Sequence, residues 1–270
     1  MTVLLHLSDP HFGTEQRPVV EALVRFSGEH RPDLVVVSGD ITQRARRGQF
    51  RAARGFVERL GVSDTLVLPG NHDIPLFNVA ARLFAPYANH RREFGRDLEP
   101  VYQSEQLLVV TANTTRRYRH KHGEVCDEQI ERIEARLARA SAAQLRLVVT
   151  HQPVCVTRPE DRANLLRGGA EAIRRWARAG ADLVLGGHIH LPFVRDLRED
   201  DPDLPRQVWA VQAGTAVSSR VRRDAPNSVN LLRWTSSSDA RRCVVERWDY
   251  DRTVQEFQLA QKHHLDLEAA

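Results

Sequence analysis

The sequence predicts an α/β fold, and two features of the 270-residue chain support this prediction. First, five short apolar runs have the length, the β-branched content and the Gly, Pro, Ser or Asp boundaries of buried strands. Second, helical patterns lie between these runs over the first two thirds of the chain. The runs cover residues 3–7, 34–37, 65–68, 145–149 and 183–185.

Length and composition predict one domain over residues 1–270, with a polar tail from about residue 255 that is frayed or packed peripherally. Apolar residues make up 41% of the chain and charged residues 27%, which suffices for a substantial core. The tail contains His263 and His264, which we interpret as frayed surface residues rather than ligands. Disordered and fibrous proteins are excluded.

The cysteines and the hydropathy pattern predict a cytoplasmic protein without membrane contact. Cys126, Cys155 and Cys243 lie far apart and form no C-x-x-C pair, which argues against a disulfide framework and against a thiolate metal site. No run reaches membrane-spanning length, and no basic leader precedes a long apolar stretch. A net charge of +4 permits nucleic-acid binding without requiring it.

Helices are predicted after each of the early strands. An apolar stripe follows Pro18, which favours the first turn of a helix, and a second helix is predicted to end near Gly61. Residues 77–94 are helical in pattern but are divided into two pieces by Pro86. Asp127 is predicted to cap a helix, and residues 169–179 form another.

The later part of the chain predicts mainly strands. Residues 106–111 form one candidate strand between helices. Beyond His190 the pattern changes to strands at 208–212, 228–234 and 241–248, with little helix between them. We expect these late strands to form a second sheet packed on the first. The strands near Val208 and Val229 could form a dimer edge or lie buried in that sheet, so the oligomeric state stays open.

Polar clusters follow all five of the first apolar runs. In chain order they are Asp9 with His11, Asp40, Asn71 with His72, His151, and His188 with His190. Ligand sites of open α/β sheets form at the carboxyl ends of the strands, so these clusters are expected to converge. Side chains two apart on an extended segment share a face, so each D-x-H or H-x-H pair can point at one site. The joint pattern is specific, although each pair alone is weak evidence.

These motifs resemble those of the calcineurin-like metallophosphoesterases. The matching blocks are S-D-P-H-F-G (8–13), S-G-D-I-T (38–42), P-G-N-H-D (69–73), T-H-Q-P (150–153) and G-G-H-I-H (186–190). The resemblance extends from residue 3 to about residue 230. It implies a four-layer α/β/β/α sandwich of two mixed sheets flanked by helices, with two metal ions at the strand ends.

The resemblance also implies the roles of the site residues. One ion would be bound by Asp9, His11 and His190, the other by Asn71, His151 and His188, and Asp40 would bridge both. His72 would face the substrate. Many relatives have a second histidine where this chain has Gln152. The N-x-x-R segment from Asn113 and the G-T-A-x-S-S-R segment at 214–220 resemble the bacterial class III cyclic-nucleotide phosphodiesterases.

The donor types account for this assignment chemically. Nitrogen and oxygen ligands without thiolates suit Mn, Fe or Zn, and the sequence does not distinguish among these metals. Two ions about 3.5–4 Å apart would lower the pKa of a shared water, and the bridging hydroxide would be the nucleophile that attacks phosphorus. His72, backed by Asp73, is expected to protonate the leaving alkoxide or to bind a phosphoryl oxygen. Asp73 could equally cap a helix, because Pro75 follows it.

The predicted function is that of a dinuclear metal-dependent phosphodiesterase for a small phosphodiester, with a 3',5'-cyclic nucleotide as the leading candidate. A phosphomonoesterase and a DNA-repair-type nuclease are the alternative enzymes, and a phosphoprotein-binding scaffold is the non-enzyme alternative. Nucleic acid is not favoured as a partner. The basic segment 116–122 and Arg220 could contact substrate or form solvated surface and salt bridges. The arginines at 44, 46 and 47 stay unassigned.

Overall fold

Two six-stranded sheets form the centre of the molecule in the computed structural model, which describes residues 1–222, 224–236 and 241–269. The strands are β1 (Thr2–Leu7), β2 (Leu34–Val37), β3 (Asp64–Val67), β4 (Val101–Gln103), β5 (Leu107–Thr111), β6 (Leu145–Val149), β7 (Leu183–Gly186), β8 (Phe193–Asp196), β9 (Trp209–Gln212), β10 (Ser228–Ser236), β11 (Arg241–Asp251) and β12 (Glu256–Asp266). The helices are α1 (Arg17–His30), α2 (Arg47–Arg59), α3 (Val79–Phe84), α4 (Ala88–Phe94), α5 (Asp127–Leu137) and α6 (Gly169–Arg178). Short 3₁₀ turns cover Asn71–Asp73, Pro159–Asn164 and Leu197–Glu199.

Each sheet combines a parallel centre with antiparallel neighbours. The first sheet has the order β12-β11-β10-β1-β2-β3, in which β1, β2 and β3 run parallel. The second has the order β4-β5-β6-β7-β9-β8, in which β5, β6, β7 and β9 run parallel. Both sheets are therefore mixed, as the family resemblance implies.

Three layers of buried apolar side chains hold the sheets and helices together. The middle layer lies between the sheets and includes Leu4, Val36 and Leu147. Leu23 of α1 and Phe50 of α2 belong to the layer beneath the first sheet. An equivalent layer packs α5 and α6 on the second sheet. The order of layers is α/β/β/α, and the predicted fold class is confirmed.

The predicted helices are present with small changes at their ends. Pro18 lies in the first turn of α1, and the segment with Pro86 separates α3 from α4. Asp127 is the first residue of α5, and Cys126 occupies the cap position that the sequence analysis gave to Asp127. The strand expected at 106–111 is β5, which begins at Leu107.

The late strands do not form a second sheet of their own, so that prediction was wrong. Strand β9 pairs parallel to β7 in the second sheet, whereas β10 pairs antiparallel to β1 in the first. The sequence period identifies a strand but does not identify its neighbour. Val208 and Val229 are buried, and the outermost strands in the described part of the chain are β3, β12, β4 and β8. The suggested dimer edge at these two valines is therefore not present.

The stretch from residue 256 is a strand at the edge of the first sheet, so the tail is packed peripherally and is not frayed. Strand β12 pairs along its length with β11, and His263 and His264 lie opposite Val245 and Val244. Only Phe257 and Leu265 of its eleven residues are buried. The remaining positions are largely polar, so the segment lacks the apolar pattern by which the other strands were predicted. No helix among the described residues is long and apolar enough to cross a membrane.

Candidate metal centre

The candidate ligands lie where the carboxyl ends of strands from both sheets meet. Asp9, Asp40 and Asn71 follow strands of the first sheet, whereas His151 and His188 follow strands of the second. The clusters converge, and they come from both sheets rather than from one. The His188 backbone N–H donates a hydrogen bond to Asp9 Oδ2 at 2.8 Å and so joins the two sheets at this point. The site is built at the junction of the two sheets.

Five of the candidate ligands have left-handed backbone conformations, which L-residues rarely adopt. Their φ angles are 52° at Asp9, 42° at His11, 48° at Asp40, 73° at His188 and 54° at His190. The predicted extended geometry of the D-x-H and H-x-H pairs was therefore wrong, because tight turns bring these side chains together. Each such residue costs roughly 1–3 kcal/mol, and such strain concentrates at functional sites.

Two glycines allow the ligand turns to approach each other. A Cβ atom on Gly70 would lie 2.0 Å from the backbone nitrogen of Asp40. A Cβ atom on Gly187 would lie 1.8 Å from Ser8 Oγ and 2.5 Å from Asp9 Oδ2. Side chains at these positions would displace the two candidate carboxylate ligands, so the close approach requires glycine.

One group of donors consists of Asp9, His11 and His190. The His190 Nε2 atom lies 3.1 Å from Asp9 Oδ1 and 3.1 Å from His11 Nε2. The His11 Nε2 atom lies 3.6 Å from Asp9 Oδ1. All three side chains are nearly or fully buried, so one carboxylate oxygen and two imidazole nitrogens face a common point. This arrangement can hold one ion.

A second group consists of Asp40, His151 and His188, with Asn71 beside it. The His151 Nε2 atom lies 3.3 Å from Asp40 Oδ1 and 3.3 Å from Asn71 Oδ1. The other carboxylate oxygen of Asp40 lies 3.7 Å from His11 Nε2, in the first group. Asp40 therefore reaches both groups with different oxygens, as a bridging ligand must.

The side chains present fit two transition-metal ions. Neither ring nitrogen of His188 has a hydrogen-bond partner within the described residues, although the ring is buried. Buried polar atoms of this kind are normally partnered, and an ion would supply a partner for one of the two nitrogens. The far nitrogens of two other imidazoles are held by backbone carbonyls, His151 Nδ1 by Ser38 O at 2.8 Å and His190 Nδ1 by Arg220 O at 2.6 Å. These bonds direct the Nε2 lone pairs into the site.

The carboxylates and imidazoles perturb one another electrostatically. Burial raises the pKa of the Asp40 carboxyl, but the surrounding imidazoles, His151 first, outweigh burial and hold the pKa below its ordinary value. Burial lowers the pKa of His151, but the Asp40 carboxylate outweighs burial and raises it to about 9. Burial lowers the pKa of His188 to about 3. The carboxylates therefore stay ionised, and a bound cation must displace a proton from His151.

His72 lies beside the ligands and is held from two sides. Its ring centroid is 4.9 Å from that of His11, and its backbone N–H donates to Asp40 Oδ1 at 2.8 Å. Its Nδ1 atom lies 3.1 Å from Gln43 O, and Arg220 Nη1 lies 3.2 Å from its Nε2 atom. The Nε2 edge and the Arg220 guanidinium therefore face the same space.

Asp73 does not support His72, and that part of the prediction was wrong. Its carboxylate accepts four hydrogen bonds, from the backbone nitrogens of Gly70, Ile41 and Thr42 and from the Thr42 hydroxyl, all at 2.8–2.9 Å. The buried carboxylate therefore ties the turn at Asn71 to the turn after Asp40. The group that orients His72 is the carbonyl of Gln43.

The comparison with known families decides the class of the protein. A family model described as calcineurin-like phosphoesterase matches residues 2–192. The chain belongs to the calcineurin-like phosphoesterase family. It is a metal-dependent phosphoester hydrolase from a family that uses two metal ions.

Relatives and solved structures resemble this phosphoesterase at low sequence identity. A probable cyclic nucleotide phosphodiesterase of Synechococcus sp. is 26% identical over 195 residues, which cover 66% of this chain and 70% of the relative. A second protein of that description, from Rhodococcus erythropolis, is 26% identical over 205 residues, which cover 69% of this chain and 64% of the relative. A dimetal phosphatase from Danio rerio has 13% identity and a TM-score of 0.66, with 99% of both chains covered, and so shares the fold.

Two connected clefts open from the ligand groups of this phosphoesterase. The smaller, about 400 Å³, exposes Asp40, His72 and His188 and has Lys121 and Arg222 at its rim. The larger, about 780 Å³, shares His72 and Arg220 with it and is lined further by basic, amide and apolar side chains. Among these lining residues are Gln43, Arg44, Arg46, Arg47, Phe77, Asn78, Asn89 and His120. The arginines that the sequence analysis left unassigned thus lie beside the site.

The basic segment 116–122 divides between structural and cleft-facing residues. Arg116 and Arg119 form ion pairs with Glu124. Arg116 also donates to Asn113 O at 2.8 Å, so the N-x-x-R segment is a locally bonded turn. His120 and Lys121 line the smaller cleft, and neither His120 nor His122 joins a ligand group in the part of the chain that is described.

Several residues of the site carry no signal that the sequence analysis recognised. Gln43 contacts His72 with its carbonyl and Arg220 with Oε1. Asp161 and Asn164, on a distant 3₁₀ turn, line the smaller cleft, and Asp161 pairs with Arg222 at 2.9 Å. Gln43 follows the S-G-D-I-T block directly, which could have suggested it. The other contacts depend on tertiary structure alone.

Proposed function

We propose that this phosphoesterase is a phosphodiesterase for small phosphodiesters and that a 3',5'-cyclic nucleotide is its best candidate substrate. The proposal rests on one observation: a full set of seven donors lies below a histidine and an arginine that face the same space. Asp9, His11 and His190 would hold one ion, and Asn71, His151 and His188 the other. Asp40 would bridge them.

The ions supply chemistry that the side chains lack. When bound, two divalent ions lower the pKa of a water, so that it can attack phosphorus, and they stabilise the charge that develops on the phosphoryl oxygens. Asp9 and Asp40 contribute about −2 against about +4 from the ions, so the site keeps a positive charge that favours a phosphate anion. Asn71 adds an oxygen donor without adding negative charge.

His72 and Arg220 would act on the substrate. The carbonyl of Gln43 fixes Nδ1, so the Nε2 atom of His72 is directed into the cleft. A protonated Nε2 can donate its proton to the leaving alkoxide as the P–O bond breaks. Arg220 Nη1, 3.2 Å from this nitrogen, can bind a phosphoryl oxygen and hold the phosphorus below His72. Asp73 would position both turns without touching substrate.

The larger cleft supports a nucleotide over a simple alkyl diester. It offers the exposed ring of Phe77, with the Arg44 guanidinium 5.3 Å from the ring centroid, as a surface on which a base can stack. Asn78 and Asn89 add hydrogen-bonding groups for base edges. The names of the Synechococcus and Rhodococcus relatives agree with this substrate class.

A nuclease is the second candidate, because a specific observation favours it. Arg44, Arg46 and Arg47 line the larger cleft and Lys121 the smaller, so a longer phosphate backbone could lie across both. Phosphomonoester hydrolysis would use the same ions and the same His72. These alternatives differ in substrate size and charge and are separable by kinetics.

The test compares kcat/KM on metal-stripped protein restored with Mn²⁺. The substrates are a cyclic nucleotide, methyl p-nitrophenyl phosphate, p-nitrophenyl phosphate and single-stranded DNA. We expect the cyclic nucleotide to be hydrolysed best, and only when metal is present. Faster turnover of single-stranded DNA or of the monoester would overturn the preference. Absence of turnover with Mn²⁺, Fe²⁺ and Zn²⁺ would favour a binding protein.

A further inference from the structure

Helix α3 and the residues just before it carry exposed apolar side chains next to the larger cleft. Phe77 is 78% exposed, Val79 63%, Leu83 46% and Phe84 85%, and no residue of α3 is buried. Apolar side chains that lie singly on a surface need no explanation, but four within eight residues form a patch. Neither sheet nor helix within the described residues covers it.

A tyrosine from a distant segment extends this patch. Tyr118 is 69% exposed, and its loop is bonded to α3 on both sides. Arg117 donates to Leu83 O at 2.5 Å, and Arg82 donates to Arg119 O at 2.6 Å. Phe77, Val79, Leu83, Phe84 and Tyr118 therefore form one surface, which we name the α3 face.

The surroundings of the α3 face are strongly cationic. Residues 41–57 contain five arginines, residues 74–92 three arginines, and residues 106–123 three arginines and one lysine, and none of these segments contains Asp or Glu. Arg44, Arg46, Arg117 and Lys121 are exposed and form no ion pair with a carboxylate of the described chain. A protein of net charge +4 thus concentrates arginines and a lysine without a carboxylate partner around the α3 face.

We infer that the α3 face binds the surface of an anionic lipid bilayer. Projecting Phe, Leu and Tyr side chains flanked by arginine and lysine match an interface of acyl chains beneath negative headgroups. A second copy of this chain would bring the same cationic surfaces together and be repelled. Single-stranded nucleic acid would use the aromatic rings for stacking but would gain nothing from Val79 and Leu83.

The position of the face has a consequence for the enzyme. Phe77 belongs both to the α3 face and to the wall of the larger cleft. Docking through this face brings the mouth of the cleft to the headgroup layer. The attachment is peripheral, since none of the described helices is long and apolar enough to cross a membrane. It departs from the expectation of no membrane contact, which rested on the absence of a membrane-spanning run.

The experiment is sedimentation with vesicles of phosphatidylcholine alone and of phosphatidylcholine with phosphatidylserine. We expect binding only to the mixed vesicles and weaker binding at high salt, because salt screens the arginines. The variant Leu83→Ser/Phe84→Ser should bind about tenfold more weakly or worse, since two apolar side chains no longer insert. Phe84→Trp should bind at least as well as the wild type.

The matched control is Val254→Ser/Leu259→Ser, which removes two exposed apolar side chains from strand β12 and the turn before it. Its vesicle binding should be unchanged. Leu83 and Phe84 line neither cleft, so hydrolysis of a small soluble diester by their variant reports intact folding. Equal binding by the wild type and Leu83→Ser/Phe84→Ser, or no binding to anionic vesicles at low salt, would overturn the inference. The inference would also be overturned if the wild type formed a dimer, or bound single-stranded DNA, and only Leu83→Ser/Phe84→Ser lost that property.

Discussion

The floor and the rim of the site differ in how they are built. The floor consists of the seven candidate ligands, which are buried or nearly buried and held by turns of unusual backbone conformation. The rim consists of the cleft-lining residues Arg44, Arg46, Arg47, Phe77, His120 and Lys121, which are largely exposed. The floor is held by burial and by strained turns, whereas the side chains of the rim face solvent. We infer that the floor determines the reaction and the rim determines the substrate.

The largest expected effect follows from the bridging residue of the floor. Asp40→Asn removes the carboxylate that faces both ligand groups, so it should lower metal content and reduce kcat by about a thousandfold or more. Metal analysis and steady-state kinetics measure both. Asp64→Asn, an exposed carboxylate on β3, is the matched control and should keep both values. Retained activity in Asp40→Asn would contradict the claim that the floor determines the reaction.

A glycine of the floor should be almost as sensitive. Gly70→Ala would force a Cβ atom against the backbone of Asp40, so we expect kcat/KM to fall at least a hundredfold with loss of metal. Gly55→Ala in α2 is the control, because a Cβ atom there meets nothing within 4 Å. It should stabilise the protein by about 0.5–1 kcal/mol without loss of activity. Thermal unfolding and metal content, measured on both variants, separate the two outcomes.

His72 lies between the floor and the rim, and its substitution tests whether it acts on the substrate or binds metal. His72→Ala should keep both metals, because its assigned role is toward the substrate, and should lower kcat by about 10²–10⁴. A substrate with a better leaving group should recover part of the rate, since it needs less protonation. Loss of metal in this variant would instead indicate that His72 is a ligand. Its donor atom lies close enough to those of His11 and Asp40 for all three to bind one ion.

The rim should affect binding rather than chemistry. Phe77→Ala removes the proposed stacking surface, so KM for a cyclic nucleotide should rise about tenfold while kcat changes little. Hydrolysis of methyl p-nitrophenyl phosphate has a smaller stacking contribution and serves as the reference. Phe77→Tyr should behave like the wild type. A fall in kcat without a change in KM would contradict the assignment of the rim to substrate selection.

His90, a buried histidine outside both the floor and the rim, should make the stability of the fold depend on pH. Burial lowers the pKa of His90, which packs between Phe50 and Phe94, to about 4. Because the folded pKa lies below the unfolded value of about 6.5, the unfolded state binds the proton more readily. The contribution of neutral, buried His90 to the free energy of unfolding is therefore complete above pH 6.5 and is lost as the pH falls toward 4.

The expected loss is about 2 kcal/mol at pH 5. Urea unfolding at pH 7 and pH 5 measures it. His90→Phe should reduce the difference between the two pH values. An unchanged difference would show that other groups control the acid sensitivity.

The sequence predicted the floor far better than the rim. Candidate ligands such as Asp9 and Asn71 stand in short motifs directly after apolar strands, and these motifs together with the family resemblance are sufficient to select them. The orienting contact of Gln43 and the hydrogen bonds by which Asp73 joins two turns were missed because they depend on which turns meet. The assignment of β9 and β10 to different sheets was missed for the same reason, since periodicity does not encode pairing. Strand β12 was missed because only two of its residues are buried.

The most direct test of the two-ion floor is the metal content of metal-stripped protein after saturation with Mn²⁺ and removal of free ion. We expect two ions per chain in the wild type and fewer in Asp40→Asn. The variant His120→Ala/His122→Ala, which removes both histidines of the basic segment 116–122, should still bind two. One ion or none in the wild type, or loss of metal from the rim variant, would contradict this account.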